Sequence, residues 1–291
     1  MFTVTLMTNS AMFLDRELVA NLRNAMGGSD AIWLDPNHAA EFDIPKVPKS
    51  IETVYESLSA EGVDLAVQPK GDRKRKMLLA DMDSTMIQQE CIDELAAEAG
   101  VGEQVAAITA RAMNGELDFE AALLERVALL KGLPEATIQT VLTNRITLMP
   151  GGDILLATMK ANGAHCALVS GGFTAFTGAI AVKLGFDEHH ANTLLAEDGE
   201  LTGDVARPIL GRDAKVAALD RITAEQGLTP ADVIAVGDGA NDLGMLQKAG
   251  TGVALHAKPI VQEQAQIRIN HGDLRALLYV QGYVKSEFVT P

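Results

Sequence analysis

Apolar and polar positions alternate in two different ways along this chain, and the change falls near residue 70. Short apolar runs at 2–7, 31–34 and 63–67 are separated by helix-spaced apolar positions over 16–26 and 50–60. That order predicts a small α+β module over residues 1–72. The stretch PKGDRKRK at 69–76 then breaks the pattern with Pro, Gly and a basic cluster. It reads as a solvated linker and strand lead-in, with a binding patch as the alternative.

From Met77 onward, apolar runs end in small or acidic residues and are followed by helical spacing: MLLADMD, HCALVSGG, VIAVGDG and GVALHA. Strands alternating with helices predict a Rossmann-like doubly wound parallel sheet over 73–291, with ligands beyond the carboxyl ends of the strands. Between the first two of these strands, residues 88–146 are helix-patterned throughout, in IDELAAEAG, VAAITARAMNG, DFEAALLERVALLKG and ATIQTVLTNRI. A segment this long exceeds a simple crossover and predicts an inserted helical cap at about 88–147. Residues 191–205 carry a hairpin signal around Glu197-Asp198-Gly199.

Composition narrows the function. Lys and Arg total 24 against 39 Asp and Glu, a net charge of −15 over 291 residues, which disfavours nucleic acid and anionic membrane surfaces as partners. Two cysteines, Cys91 and Cys166, and an N-terminus without a secretory pattern point to free thiols in a reducing compartment, so a cytoplasmic location is expected. No run approaches the ~18 apolar residues of a membrane helix.

The strand ends hold the chemistry. Asp81 and Asp83 follow the strand at 76–80. Two carboxylates placed there are costly unless a cation offsets them or one keeps its proton; an acidic turn is the plain alternative. The run VIAVGDGAND adds Asp238, Asn241 and Asp242 at a second strand end, and hard oxygen donors of this kind suit Mg²⁺. Ser170 and Gly171, in LVSGGF, end another strand with a hydroxyl and small residues fit for close approach to a phosphoryl group, or else form a Ser/Gly turn. Lys215, near a helix start, could neutralise a transferring phosphoryl; alone it would read as a solvated lysine. The histidines, including His165, His189, His190 and His256, show no metal spacing and read as structural or exposed.

DMDST, LVSGG, Lys215 and GDGAND, in that order, resemble the four motifs of the haloacid dehalogenase superfamily. Together with QQECIDELA, DFEAALLERVALL and LTGDV, they are similar to the phosphoserine phosphatases within it. The resemblance implies Mg²⁺-dependent hydrolysis of O-phospho-L-serine, the last step of L-serine biosynthesis, through an aspartyl-phosphate. It makes Asp81 the nucleophile and Asp83 the general acid and base, with an upward pKa shift. It assigns Mg²⁺ to Asp81, Asp238 and the Asp83 backbone carbonyl, with Asp242 behind or through water. Ser170, Gly171, Lys215 and Asn241 would hold the phosphoryl oxygens. Glu90 would meet the substrate ammonium, Arg126 its carboxylate and Phe119 its upper face; without the resemblance these read as an exposed glutamate, a surface ion pair of Arg126 with Glu125 or Glu120, and cap core. Met82 replaces the more usual Phe without touching a charge. Residues 1–72 loosely resemble ferredoxin-like regulatory (ACT-like) domains that bind amino acids or form homodimers, a merely structural role being the alternative. A related phosphotransferase or small-phosphomonoester phosphatase, and from another class a phosphoacceptor signalling domain, stay open at this point.

Overall fold

The computed structural model describes residues 1–113 and 116–291. Its first seventy residues run β1 (Phe2–Met7), α1 (Arg16–Ala25), β2 (Ile32–Asp35), β3 (Ala39–Ile44), α2 (Ile51–Ala60) and β4 (Asp64–Pro69). The strands form an antiparallel sheet in the order β2-β3-β1-β4, the ferredoxin-like arrangement. Strand β3 was not expected from the sequence. Its run AAEFDI buries Ala39, Ala40, Phe42 and Ile44, and the acidic residues between them obscure the alternation. Asp15 starts α1 by accepting a hydrogen bond from the Glu17 amide at 2.8 Å. One sheet face packs Val4, Leu6, Phe42 and Leu65 against Val19, Tyr55 and Leu58 of the two helices. From the opposite face, Met7, Leu34, Ala39 and Ala66 join the core of the rest of the chain.

The chain continues through β5 (Met77–Ala80) into α3 (Cys91–Glu98), α4 (Gly102–Met113), α5 (Phe119–Ala128) and α6 (Ala136–Asn144). These helices occupy the segment expected as the cap; the helical pattern read there also covers Asn114 and Gly115, which lie outside the described residues. Next come α7 (Gly152–Ala161), β6 (His165–Phe173), α8 (Thr174–Leu184), β7 (Glu188–Asn192), the hairpin β8 (Leu194–Glu197) and β9 (Glu200–Val205), and α9 (Arg212–Glu225). The last elements are β10 (Val233–Gly237), α10 (Leu243–Lys248), β11 (Thr251–Leu255), α11 (Pro259–Gln262), β12 (Ile267–Ile269) and α12 (Ala276–Val280).

Six parallel strands form the main sheet in the order β12-β11-β10-β5-β6-β7. Every residue of β5, β10 and β11 is buried, as a sheet covered on both faces requires. Side chains alternate between the faces: Leu78, Ala80, Leu168 and Val236 join one core, and Met77, Leu79, Val169 and Ala235 the other. The chain leaves β5 toward β6 on one side and returns to β10 on the other. That reversal opens a crevice beyond the carboxyl ends of β5, β6 and β10.

The basic stretch between the two sheets is more than a solvated linker. Arg73 pairs with Glu41 at 2.8 Å, and Arg75 donates to Thr251 Oγ1 at 3.0 Å and to the Gly250 carbonyl. Both guanidiniums thus fold back on structure that sequence proximity could not reveal.

Candidate active site

Strand β5 delivers Asp81 directly: its amide still donates to the Val236 carbonyl at 3.0 Å, so its backbone is fixed by the sheet. The chain then turns around Met82, whose carbonyl accepts from the amides of Thr85, Met86 and Ile87. Met82 is fully buried in the main core. Asp83 leaves this turn toward α3 and β6. Its Oδ1 accepts from the Cys91 amide at 2.9 Å and its Oδ2 from the Ser170 hydroxyl at 3.3 Å.

Ser170 lies in β6, three residues before its end, held by the Gly172 amide donating to its Oγ at 2.9 Å. Two glycines make this approach feasible. A Cβ at Gly172 would lie 2.6 Å from Asp83 Oδ2, and one at Gly171 would lie 3.0 Å from the Phe119 ring. Phe119 opens α5, whose start is fixed by Asp118 accepting from the Ala121 amide at 2.8 Å.

Asp238 and Asp242 come from the loop after β10. The carboxylate oxygens of Asp81, Asp238 and Asp242 approach within 4.8 Å of one another, and all three residues are buried. Lys215 lies beneath them on α9, 2.6 Å from Asp81 Oδ1 and 2.5 Å from Asp242 Oδ1, and is only 2% exposed. Asp242 Oδ2 accepts from the Gly239 amide at 3.0 Å, which closes the loop on itself.

The electrostatics follow from three buried carboxylates facing one ammonium. Burial first, then Asp242, raises Asp81 well above the usual carboxylate range, with Lys215 opposing. Burial and Asp242 push Asp238 up to about 7, and burial together with Glu90 pushes Asp83 up to about 6. For Lys215, burial favours the neutral amine, but Asp242 and Asp81 outweigh it and hold the proton more firmly than usual. Negative charge is therefore in excess, and Asp81 Oδ1 has no hydrogen-bond donor aligned on it despite the close ammonium. An all-oxygen donor set of this geometry fits a hard divalent cation. The Asp83 carboxylate is not part of the cluster.

A cavity of about 470 Å³ opens above this floor. Of the expected residues, it is lined by Asp81, Asp83, Glu90, Phe119, Arg126, Ser170, Gly171, Asp238 and Asn241. Lys215 and Asp242 lie below it, out of the lining. Glu90 precedes α3 but does not cap it; it accepts instead from the Ser84 hydroxyl at 2.6 Å. Arg126 Nε donates to the Ala122 carbonyl of its own helix. Neither surface ion pair considered for Arg126 forms: Glu125 pairs with Arg111 and Glu120 with Arg207. Burial lowers the Arg126 pKa, against the pull of Asp93 and Glu90.

Ser84, Asp93, Thr109 and Lys258 also line the cavity and were not singled out from the sequence. Lys258 carried one readable signal, its place beyond the end of the strand GVALHA. Ser84 adopts φ +55°, which its residue type does not announce. Outside the site, Glu188 binds His165 at 2.7 Å and His190 at 2.6 Å. The only His, Cys, Asp or Glu cluster with metal-holding proximity among the described residues is the aspartate one. Cys91 and Cys166 are free and buried, and no described helix is long and apolar enough to cross a membrane.

Comparison with known proteins agrees with this geometry. The family model for haloacid dehalogenase-like hydrolase matches residues 78–247. A phosphoserine phosphatase of Methanocaldococcus jannaschii is 45% identical over 207 residues, covering 71% of this chain and 98% of the relative. One from Streptomyces coelicolor is 43% identical over 258 residues, which is 87% of this chain and 62% of that longer protein. The crystal structure of a haloacid dehalogenase family hydrolase from Salmonella enterica serovar Typhi superposes with a TM-score of 0.87 at 31% identity, covering 99% of this chain and all of that one. With its parallel sheet, its strand-end aspartates and these relatives, the chain belongs to the haloacid dehalogenase-like hydrolases.

Proposed function

We propose that this protein is a phosphoserine phosphatase, hydrolysing O-phospho-L-serine to L-serine and phosphate at the last step of L-serine biosynthesis. One observation carries the reading: a single cavity joins Asp81 and Asp83 on its floor to Glu90 and Arg126 on its cap side. A phosphate-handling floor thus faces one carboxylate and one guanidinium, the complement of an amino acid's ammonium and carboxylate. Phe119, against Gly171, supplies an apolar cover over the phosphoryl site. The relatives named as phosphoserine phosphatases support the same substrate.

In this reading an Asp81 carboxylate oxygen attacks phosphorus while the bond from phosphorus to the seryl oxygen breaks, and Asp83 gives its proton to that oxygen. A carboxyl whose pKa is pushed up to about 6 can be neutral when it is needed. Asp83 then takes a proton from water as the water oxygen attacks phosphorus. The bond to Asp81 breaks and phosphate leaves, with Asp83 again protonated. Ser170, the Gly171 amide and Asn241 hold the phosphoryl oxygens. Lys215 favours the ionised form of Asp81, against the effect of burial, and orients it through their 2.6 Å contact, acting on the phosphoryl group from behind the nucleophile.

Mg²⁺ is the cation we assign to Asp81, Asp238 and the Asp83 carbonyl, with Asp242 behind; when bound it offsets the repulsion between an anionic nucleophile and an anionic substrate. Residues 73–291 form the catalytic unit in this scheme, with a cap at about 88–147, and residues 1–72 an appended module through which the chain could pair as a homodimer in the cytoplasm. A panel of phosphomonoesters assayed with and without Mg²⁺ tests the proposal. Phosphoserine should be preferred and metal required; equal turnover of phosphate esters lacking an amino-acid group would refute the assignment.

A further inference from the structure

The N-terminal module grips the loop after β12 through a buried carboxylate. Asp64, the first residue of β4, is 1% exposed and faces no lysine or arginine at salt-bridge distance among the described residues. It is instead surrounded by amides from the loop after β12. Asp64 Oδ1 accepts from Asn270 N at 2.8 Å, Oδ2 accepts from Gly272 N at 2.7 Å, and His271 N donates to both at 3.1–3.2 Å. Helix α2 of the same module adds two contacts to this loop: Asn270 Nδ2 donates to Tyr55 Oη at 2.8 Å, and the Ser59 hydroxyl meets His271 Nε2 at 3.1 Å.

The loop so held bonds in turn to two segments, the turn at 256–258 that leads to the cavity and the stretch at 150–151 that enters α7. On one side, the Gly272 carbonyl meets His256 Nε2 at 2.8 Å. His256 adopts φ +47°, a conformation a non-glycine residue keeps only when its surroundings enforce it. Two residues on, the Lys258 amide donates to the Asp238 carbonyl at 3.2 Å, and Lys258 lines the cavity. On the other side, Leu274 N donates to the Pro150 carbonyl at 3.1 Å, where the chain leaves the cap helices and enters α7. Gly151 there packs so closely that a Cβ would lie 2.8 Å from Asp273 Oδ1.

We propose that Asp64 is a positioning residue for the active site: by binding the amides of 270–272 it fixes the His256 turn, and through it the Lys258 and Asp238 backbone on the cavity wall, while Leu274 of the same loop holds the Pro150 carbonyl where the chain enters α7. The module is on this view a part of the catalytic scaffold. Replacing the carboxylate leaves up to three amides short of an acceptor, that of Gly272 buried, and an unsatisfied buried donor is costly. The consequence for catalysis rests on the phosphatase reading above, whereas the coupling of Asp64 to the Lys258 turn does not.

The test uses the full chain with Asp64→Asn, and with His256→Asn, which tolerates a left-handed backbone but cannot reach the Gly272 carbonyl. Amide hydrogen exchange at 256–258 and 270–274, Mg²⁺ binding by calorimetry, and kcat and KM on phosphoserine are measured well below each variant's melting temperature. Expected for both variants are at least about tenfold faster exchange at the Lys258 amide, weaker Mg²⁺ binding, and a fall in kcat larger than any change in KM. Should Asp64→Asn fail to fold, His256→Asn, at an exposed position, gives the same readouts. A lowered melting temperature with unchanged exchange at Lys258, unchanged Mg²⁺ binding and unchanged kcat would reduce Asp64 to a structural contact and overturn the proposal. A wild-type chain inactive on phosphoserine would refute the function instead, while the exchange measurement would still decide the role of Asp64.

Discussion

Replacing Lys215 by Met isolates the charge balance under the active site. Its ammonium is 2.6 Å from Asp81 and 2.5 Å from Asp242, with the lysine side chain 2% exposed and the two carboxylates 7% and 0% exposed. Methionine keeps the length and apolar stem, so the change removes one buried charge and leaves its partners uncompensated. Breaking a buried pair from one side costs about 3–5 kcal/mol. For a protein of this size that is a melting-temperature loss of roughly 6–15 °C. The loss should depend on pH in a defined sense. Asp81 is already raised and Asp238 stands at about 7, and without the lysine Asp81 rises further. Above these folded-state values the folded protein carries the full repulsion. As pH falls through them, it takes up protons that unfolded carboxylates, near pKa 4, do not yet bind, and stability is regained. Calorimetric melting of wild type and Lys215→Met in chelator should therefore show the large deficit at pH 8 and about half of it or less at pH 5. A deficit equal at the two pH values, or under about 1 kcal/mol at pH 8, would refute the picture of Lys215 as the neutralising charge.

Other substitutions separate the remaining roles. Asp83→Asn removes the proposed proton donor and should lower kcat on phosphoserine by about 10²–10⁴; steady-state assay of a purified variant with near-normal turnover would remove Asp83 from that role. Arg126→Lys keeps the charge but loses the planar fork, and should raise KM for phosphoserine about tenfold or more with a smaller effect on kcat, as read from initial rates. Gly172→Ala puts a methyl 2.6 Å from Asp83 Oδ2. It should depress kcat strongly while leaving the melting temperature within a few degrees, checked by assay and calorimetry in parallel.

The active-site floor was readable because its signals are local. Each of the runs MLLADMD, LVSGG and VIAVGDGAND joins an apolar strand to its polar terminus within a few residues, so strand and chemistry are seen together. Cap residues such as Glu90 and Arg126 carried no such signal, since a helix surface glutamate and arginine look alike whether they face water or a ligand; family resemblance alone singled them out. The excess of negative charge divides accordingly, with Asp81, Asp83, Asp238 and Asp242 gathered in one place. Contacts between distant segments were not legible. Asp64 meets its amides some 206–208 residues away, and the basic run at 69–76 looked solvated because Glu41, Thr251 and Gly250, which hold its arginines, appear elsewhere in the chain. Strand β3 escaped because Glu41 and Asp43 face the two long-range partners Arg73 and Lys70, which makes an interior strand of the small sheet look polar.

The covalent step can be observed directly by rapid mixing of the protein with phosphoserine and Mg²⁺, acid quenching before the first turnover is complete, and mass spectrometry of the digested chain. The peptide containing Asp81 should carry one added phosphoryl group, which appears before serine release reaches its steady rate and is absent from Asp81→Asn. Serine released at the normal rate with no phosphorylated peptide, or with the phosphoryl on another residue, would contradict Asp81 as the nucleophile.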